Sequence, residues 1–249
     1  MSKHPRDQFI TVYGRKPVKE VLENQELDID KVLLDKRAKG NIIREILTIC
    51  KQRGVEVTRV DADRVSKISK NPKQDQGIVA DVVSPQAADA ASFLEGNQAS
   101  STTLIALDGV TTPTNVGMVI RSCTALGVDG ILLPRKGSAK ISPLVIKSSA
   151  GVVFKSTLLK CERLTPIIKL AKQKGFKIYG LSGEKGSNIY TSSFHKKSIF
   201  VLGNESNGVS SSIADLVDYW LTIPMANNVE SLNIACAGTI VGSEIMRRK

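Results

Sequence analysis

The sequence predicts an α/β protein of two domains, the second of which has a mostly parallel sheet covered by helices. The first observation behind this fold class is that short apolar runs alternate with amphipathic helical patterns along the 249 residues. The second is that residues 85–101, rich in Ala, Ser, Gln and Gly, interrupt the alternation and indicate a linker, in which ASFLE could form a short helical turn. We therefore expect one domain over residues 1–84 and another over residues 102–249, both ordinary sizes for a domain.

The first domain, residues 1–84, contains four apolar runs and two helical patterns. The runs FITVYG, KVLLD, VEVTRV and GIVADVV predict strands. KPVKEVLEN predicts a helix with Pro17 near its start, where proline is well tolerated. In NIIREILTICKQRG, Asn41 is the expected N-cap of a second helix and Gly54 is its expected stop.

The second domain, residues 102–249, alternates more regularly. Because helical patterns separate most of its expected strands, these strands are predicted to run parallel. In parallel sheets ligands bind at the loops beyond the carboxyl ends of the strands, so those loops are candidates for a functional site. The expected strands are 103–108, 130–134, 154–160, 177–182, 198–203 and 219–223.

Composition limits the classes of partner and compartment. The chain has 35 Lys and Arg against 24 Asp and Glu, a formal net charge of +11, which favours nucleic acid as a partner over a merely solvated basic surface. The four cysteines lie apart in apolar runs, which predicts core residues in a reducing compartment, and no Cys or His spacing suggests a metal. With a polar N-terminus and no apolar run of about 20 residues, we expect a cytoplasmic protein without a membrane span. The residues concerned are Cys50, Cys123, Cys161, Cys236, His4 and His195.

The stretch DGVTTPTNVGMVIRS, residues 108–122, carries the first candidate motif. An apolar stripe at helical spacing leaves Arg121 about 150° from its centre, so Arg121 is expected to point away from the core. Asn115 lies just before the stripe, where an N-cap belongs, and Gly117 indicates that something packs closely on the backbone. A capped helix with a solvated arginine is the alternative interpretation. The stripe consists of Val116, Val119, Ile120 and Cys123.

The second candidate motif is GNESNG, which follows the apolar run 199–202. Gly203 and Gly208 permit a tight turn or the close approach of a ligand to the backbone. The loop is neither a dinucleotide-binding fingerprint nor a phosphate-binding P-loop. The carboxylate of Glu205 argues against phosphate and suits a cation or a sugar hydroxyl. A plain connection from strand to helix is the alternative.

The third candidate motif lies in IPMANNVESLNIACAG. A short strand, residues 220–223, stops at Pro224, and Ser231 is expected to open a helix that runs to the end of the sequence. The small side chains of LNIACAG predict that this helix packs tightly against a neighbour. An ordinary final helix is the alternative.

In this order and spacing, the three motifs resemble those of the SpoU family of RNA ribose 2′-O-methyltransferases, in the SPOUT superfamily. The resemblance to the catalytic domain covers residues 102–249, while VYGRKPVKEVLE and KQDQGIVADV resemble the family's L30e-like substrate-binding domain. The overall pattern also resembles that of the bacterial enzymes that methylate a guanosine ribose in large-subunit (23S) ribosomal RNA. The matching residues are Asn115, Gly117 and Arg121, then Gly203, Glu205 and Gly208, then Ile223, Pro224, Met225, Ser231, Leu232 and Asn233.

The resemblance implies a fold, a cofactor and partners. The fold is a SPOUT α/β domain with a deep trefoil knot, joined to the L30e-like domain. The methyl donor is S-adenosylmethionine, and the partners are RNA and a second copy of the chain in a homodimer, with no metal and no membrane. Asn227 departs from the family pattern, because many relatives have Gly there and Asn adopts left-handed backbone less easily. Ala235 also departs, because many relatives have Ser at that position.

The resemblance also assigns roles to individual residues. The residues expected to line the reaction centre are Asn115, Arg121, Glu205, Ser231 and Asn233. The residues expected to bind the cofactor are Gly203, Gly208, Ile223, Met225 and Leu232. The candidates for RNA contacts are Arg15, Lys16, Lys73 and Gln74, for which a solvated basic surface is the alternative.

Three other functions fit parts of the sequence. A tRNA ribose methyltransferase of the same family would carry the same motifs, although the separate first domain favours ribosomal RNA. A non-catalytic RNA-binding protein of ribosome assembly would be expected to lose the motif residues, which are all present. An ordinary Rossmann-type methyltransferase would need a glycine-rich loop after its first strand, and LDGVTTPTN does not supply one.

Overall fold

The computed structural model describes residues 8–183 and 185–249, which form two compact units. The first unit extends to Pro85 and the second runs from Gln86 to Lys249. His4 lies outside the described residues. Within the described ranges, none of the helices combines the length and the apolar character needed to cross a membrane.

The first unit is a four-stranded sheet with helices, as far as its described residues go. Its strands are β1 (Phe9–Tyr13), β2 (Ile29–Asp35), β3 (Glu56–Val60) and β4 (Ile78–Val83), and its helices are α1 (Arg15–Glu23), α2 (Asn41–Arg53) and α3 (Ala62–Ser69). The strand order is β1-β4-β2-β3, with β2 and β3 parallel and the other pairs antiparallel. The four expected strands are therefore confirmed, whereas α3 was not predicted.

Of the two expectations about the caps of α2, one is confirmed and one is wrong. Gly54 has φ 67°, and its N–H donates to the carbonyl oxygens of Cys50 and Lys51, so it ends the helix as predicted. Asn41 is not the N-cap, because Gly40 holds that position and Asn41 is the first helical residue. Gly40 has φ 123°, a backbone conformation that favours glycine.

The second unit contains an eight-stranded sheet among its described residues, and all of its pairings are parallel. Its strands are β5 (Ala87–Asp89), β6 (Thr102–Leu107), β7 (Gly130–Pro134), β8 (Leu158–Cys161), β9 (Lys177–Leu181), β10 (Ser187–Asn188), β11 (Lys197–Leu202) and β12 (Tyr219–Thr222). Its helices are α4 (Ala90–Gly96), α5 (Pro113–Ala125), α6 (Pro143–Ser148), α7 (Leu164–Gln173), α8 (Ser211–Ala214) and α9 (Ile234–Arg247). The strand order is β10-β12-β9-β11-β6-β7-β8-β5. The predicted α/β class with a mostly parallel sheet is confirmed, and the trefoil knot stays a prediction.

Two expectations about this unit are wrong. Residues 85–101 are not a linker, because β5 pairs with β8 and α4 packs its buried Leu94 into the core of the second unit. Asp89 caps α4 by accepting a hydrogen bond from the Ser92 backbone N–H at 2.9 Å. The strand expected at 154–160 begins later, at Leu158, after a 3₁₀ turn over Val152–Phe154.

The cysteines also depart partly from expectation. Cys50, Cys123 and Cys161 are buried, whereas Cys236 is exposed on α9 and is not a core residue. Burial raises the pKa of the Cys123 thiol to about 12 and that of Cys161 to about 11, so both stay protonated at neutral pH. These two thiols therefore act as small apolar core groups.

Helix α5 is packed tightly between α6 and α9. A Cβ atom at Gly117 would lie 2.0 Å from the Ser148 hydroxyl and 2.7 Å from the Val145 carbonyl oxygen, both on α6. The close approach predicted for Gly117 is thus made by α6. On the other side, a Cβ at Gly238 of α9 would lie 3.5 Å from a Val119 methyl group of α5 and 3.0 Å from a Leu202 methyl group of β11, which explains the small residue at this position of α9.

We expect Gly117→Ala to lower the free energy of unfolding by about 1–3 kcal/mol. The added methyl group would overlap the backbone of α6, and α6 must move to make room for it. Gly96→Ala is the matched control, since a Cβ at this helical position meets nothing within 4 Å. Urea unfolding of both variants measures the difference. Equal stability of the two variants would contradict the packing argument.

Candidate functional site

A cavity of about 500 Å³ opens beyond the carboxyl ends of β9, β11 and β12. Because all strands of this sheet are parallel, the loops that follow them meet at one edge, as the site prediction requires. Seven of the predicted site residues line this cavity. They are Gly203, Glu205, Gly208, Ile223, Met225, Ser231 and Leu232.

The loop after β11 closes on itself against Gly203. Asn204 and Gly208 exchange two backbone hydrogen bonds of 2.8 Å, and Gly208 has φ 65°. A Cβ atom at Gly203 would lie 2.2 Å from the Gly208 carbonyl carbon and 2.3 Å from the Val209 nitrogen. Only glycine therefore fits at position 203 without opening this turn, and its backbone faces the cavity.

Three polar side chains from the three sequence motifs meet beside this cavity. Asn115 Nδ2 donates to Glu205 Oε1 at 2.8 Å, and Asn233 Nδ2 donates to the same oxygen at 2.9 Å. Asn233 Nδ2 also lies 3.2 Å from Asn115 Oδ1. One carboxylate oxygen of Glu205 is thus held by two amides, whereas Oε2 has no hydrogen-bond partner among residues 8–183 and 185–249. A fixed, partly free carboxylate suits a cation or a hydroxyl donor.

Two local expectations about these residues are wrong. Asn115 is not an N-cap, because α5 begins at Pro113 with Thr112 as its N-cap and places Asn115 in the first turn. Ser231 does not open α9, because the helix begins at Ile234 and Asn233 is the cap, with its Oδ1 accepting from the Ala235 N–H at 2.8 Å. Ser231 instead lies in the preceding loop, at the cavity wall.

Arg121 is exposed and points away from the core, as predicted. It does not line the cavity of its own chain. Within the part of the chain that the structure describes, it has no hydrogen-bond or ion-pair partner. It lies on the same outward face of α5 as Met118, whose exposed fraction is 41%.

Hydrogen bonds connect the loop of the first motif to the loop of the second motif. Asn204 Nδ2 donates to the Gly109 carbonyl oxygen at 2.9 Å, and the Ser210 N–H donates to Asp108 Oδ2 at 2.7 Å. Gly109 has φ 75°, which glycine adopts without strain. These contacts fix the start of α5 relative to the loop that carries Glu205.

Sequence reasoning missed several residues of the cavity wall, among them a lysine and a tryptophan. Lys185 and Trp220 line the cavity, and Lys185 Nζ lies 4.4 Å from the centroid of the Trp220 ring. Lys185 follows β9, so the rule that ligands bind beyond the carboxyl ends of parallel strands could have found it. Trp220 lies three residues before the third motif and offered no signal of its own.

Asn227 turns the loop of the third motif in the way that glycine would. Asn227 and Asn228 both have φ 56°, in the left-handed region that Asn tolerates best after Gly. The departure from the family pattern at position 227 therefore leaves a left-handed turn in place. Ala235 is buried in the first turn of α9.

Four residues of the first unit are candidates for RNA contacts. Some of their side chains are hydrogen-bonded within the protein, and others are exposed to solvent. Arg15 Nε donates to the Gln76 carbonyl oxygen at 3.3 Å, and its Nη1 donates to the Lys39 carbonyl oxygen at 3.2 Å. Its guanidinium thus joins two loops. Lys16 and Lys73 are exposed, and Gln74 is exposed while its side-chain oxygen accepts from Asn71 at 3.1 Å.

Comparison with known proteins links both units to RNA methylation. Residues 102–243 match the family described as SpoU rRNA Methylase, and residues 11–88 match the family described as RNA 2′-O ribose methyltransferase substrate binding. A protein of Staphylococcus saprophyticus, named as a TrmH family tRNA/rRNA methyltransferase, is 28% identical over 242 residues, 96% of each chain.

Solved structures show the same fold. The SpoU methyltransferase AviRb from Streptomyces viridochromogenes, in complex with AdoMet, is similar with a TM-score of 0.72 and 24% identity, over 98% of this chain and 91% of that one. An AdoMet-bound rRNA methyltransferase from Sinorhizobium meliloti has a TM-score of 0.68 and 21% identity, over 98% of this chain and 88% of that one.

Proposed function

The chain belongs to the SpoU rRNA Methylase family, and from that premise we propose that it methylates the ribose 2′-hydroxyl of a guanosine in large-subunit (23S) ribosomal RNA. The observation that carries the proposal is the meeting of three distant motifs at one cavity, where Glu205 is bonded to both Asn115 and Asn233. A tRNA ribose is the alternative substrate, because the Staphylococcus saprophyticus relative is named for both RNA classes.

The cavity fits S-adenosylmethionine as the cofactor. Its volume of about 500 Å³ lies in the range usual for small-molecule sites. The side chains of Ile223, Met225 and Leu232 offer apolar surface to an adenosine, and Gly203 leaves backbone groups accessible. Glu205 Oε2 can face the cofactor's positive charge. When bound, S-adenosylmethionine supplies a methyl group that its sulfonium already activates.

The protein's own residues must then position the ribose and allow the proton of its 2′-hydroxyl to leave. Arg121 is not the base in this proposal, because an arginine guanidinium keeps its proton in proteins. It instead binds the phosphate next to the target ribose and stabilises the developing alkoxide, while that phosphate or a water takes the proton. Asn115 and Asn233 hold Glu205. In this proposal Ser231, which lines the cavity, contacts the ribose.

This role of Arg121 requires a homodimer. Arg121 lies outside the cavity of its own chain, on α5, and each of the helices α5, α6 and α9, which pack together, carries an exposed apolar side chain. A second copy that covers this surface would remove apolar area from water and bring Arg121 to the partner's cavity. The exposed side chains are Met118, Leu144 and Met246.

Mapping of 2′-O-methyl groups in cells with and without this protein tests the proposal. We expect one guanosine of 23S ribosomal RNA to lose its ribose methyl group when the protein is absent. Loss from a tRNA instead would support the alternative substrate. No loss from either RNA would point to a non-catalytic RNA-binding protein, and a titration with S-adenosylmethionine that shows no binding would support that class.

A further inference from the structure

The edge of the sheet that carries the cavity continues past β6 to β7 and β8. The loops after β7 and β8 therefore lie on the same side as the cavity loops, because all these strands are parallel. Adjacent strands are roughly 4.8 Å apart, so β7 and β8 lie on the order of 10–15 Å from β11. An RNA strand whose target ribose reaches the cavity would extend over this distance.

The loop after β7 is held in place by main-chain bonds. The Arg135 N–H donates to the Cys161 carbonyl oxygen at 2.8 Å, and the Ala139 N–H donates to the Val110 carbonyl oxygen at 3.0 Å. The Ser138 hydroxyl also donates to Val110, at 3.3 Å. The loop is thereby joined to the segment that leads into α5 and Asn115, so its side chains are positioned relative to the candidate site.

Four cations project from these two loops, and we call them the basic edge. They are Arg135, Lys136, Lys140 and Arg163. Glu162 is the carboxylate paired with them, at 3.2 Å from Lys136 Nζ and 3.8 Å from Arg135 Nε. The side chains of both ion pairs are more than half exposed, so these ion pairs are weak. Lys140 and Arg163 are exposed and have no side-chain partner among the described residues.

We propose that the basic edge binds phosphates of the RNA strand that flanks the target nucleotide. The inference rests on the proposed function, and it assigns part of the RNA contact to the catalytic unit, in addition to the candidates of the first unit. The four cations outnumber the carboxylates at this end of the sheet, which are Glu162, Asp89 at the end of β5 and Asp108 after β6. The excess of positive charge suits a polyanionic strand. Contacts to phosphate position the RNA without reading its sequence.

The test is a double variant, Lys140→Glu with Arg163→Glu, in the full-length protein. Its matched control is Lys174→Glu with Lys196→Glu, which makes the same change in net charge. Lys174 lies three residues before β9 and Lys196 directly before β11, so both lie at the opposite edge of the same sheet. None of the four substitutions removes a side-chain hydrogen bond or ion pair among the described residues, so both double variants are expected to fold. Urea unfolding and S-adenosylmethionine titration check this.

Binding to an in vitro transcript of 23S ribosomal RNA is measured at several salt concentrations. We expect the basic-edge variant to bind roughly tenfold or more weakly than the control, with a salt slope smaller by about 1–2 for the two lost phosphate contacts. Equal affinity and equal slopes for the two variants would overturn the inference. A wild-type protein that methylates neither this transcript nor tRNA would instead contradict the proposed function, whatever the two variants bind.

Discussion

Arg121→Lys is expected to lower kcat by about a hundredfold or more, the loss typical for removal of one donor that stabilises transition-state charge. Lysine keeps the positive charge but loses the planar fork that binds a phosphate through two parallel hydrogen bonds. Affinity for S-adenosylmethionine should stay at the wild-type level, because the proposed partner of Arg121 is a phosphate of the RNA and not the cofactor. Methyl transfer to RNA and a cofactor titration measure the two quantities separately.

Arg44→Lys, on the exposed surface of α2, is the matched control for this substitution. A mixed preparation tests whether Arg121 acts across a dimer. Chains with Arg121→Ala and chains with Gly203→Ala are each expected to be inactive, but a mixed dimer contains one complete site and should regain part of the activity. Wild-type turnover in Arg121→Lys, or no recovery on mixing, would contradict the assigned role.

Glu205→Ala is expected to lower kcat/KM by roughly 10- to 100-fold, the scale of a lost hydrogen bond to a charged group. The substitution removes the acceptor shared by Asn115 and Asn233, and Asn115 is buried, so its amide would be left without that partner. It also removes the free oxygen Oε2 at the cavity wall. Steady-state kinetics with RNA and a cofactor titration check both consequences.

Glu205→Gln separates the two roles of this carboxylate. Glutamine keeps an oxygen that can accept from the two asparagines, but it carries no charge. If Glu205 acts by facing the cofactor's positive charge, Glu205→Gln should bind S-adenosylmethionine as weakly as Glu205→Ala. If it acts by positioning, Glu205→Gln should recover most of the activity. Glu95→Ala, on the exposed face of α4, is the control, and wild-type behaviour of both Glu205 variants would exclude either role.

The sheet of the second unit could largely be predicted because its strands are buried on both faces. All residues of β6 are buried, and β11 is buried over all but its first residue, so their apolar runs are continuous. The segment 85–101 escaped prediction because β5 is a three-residue edge strand built from two alanines and an aspartate. Composition alone does not distinguish such a strand from a linker.

The position of the candidate site could be predicted from the sequence, but its hydrogen bonds and local geometry could not. The resemblance and the rule for parallel sheets brought Gly203, Ile223 and Leu232 to one edge. The local geometry was wrong where a side chain has a distant partner. Asn115 looks like a cap in its own segment, yet its amide is bonded to Glu205, and no local pattern carries that information. The role proposed for Arg121 needs a second chain, which one sequence does not show.

The pairing of β6 with β11 has a consequence for the order in which the protein can mature. During synthesis β6 emerges long before β11, and until then one edge of β6 lacks its neighbour. Glu205 and Asn233 also follow β6 in the sequence, so a nascent chain cannot complete the cavity before residues 203–233 have been made. Parallel pairing between segments this far apart is intrinsically slow, and partly made chains are therefore the form of this protein most exposed to aggregation and proteolysis.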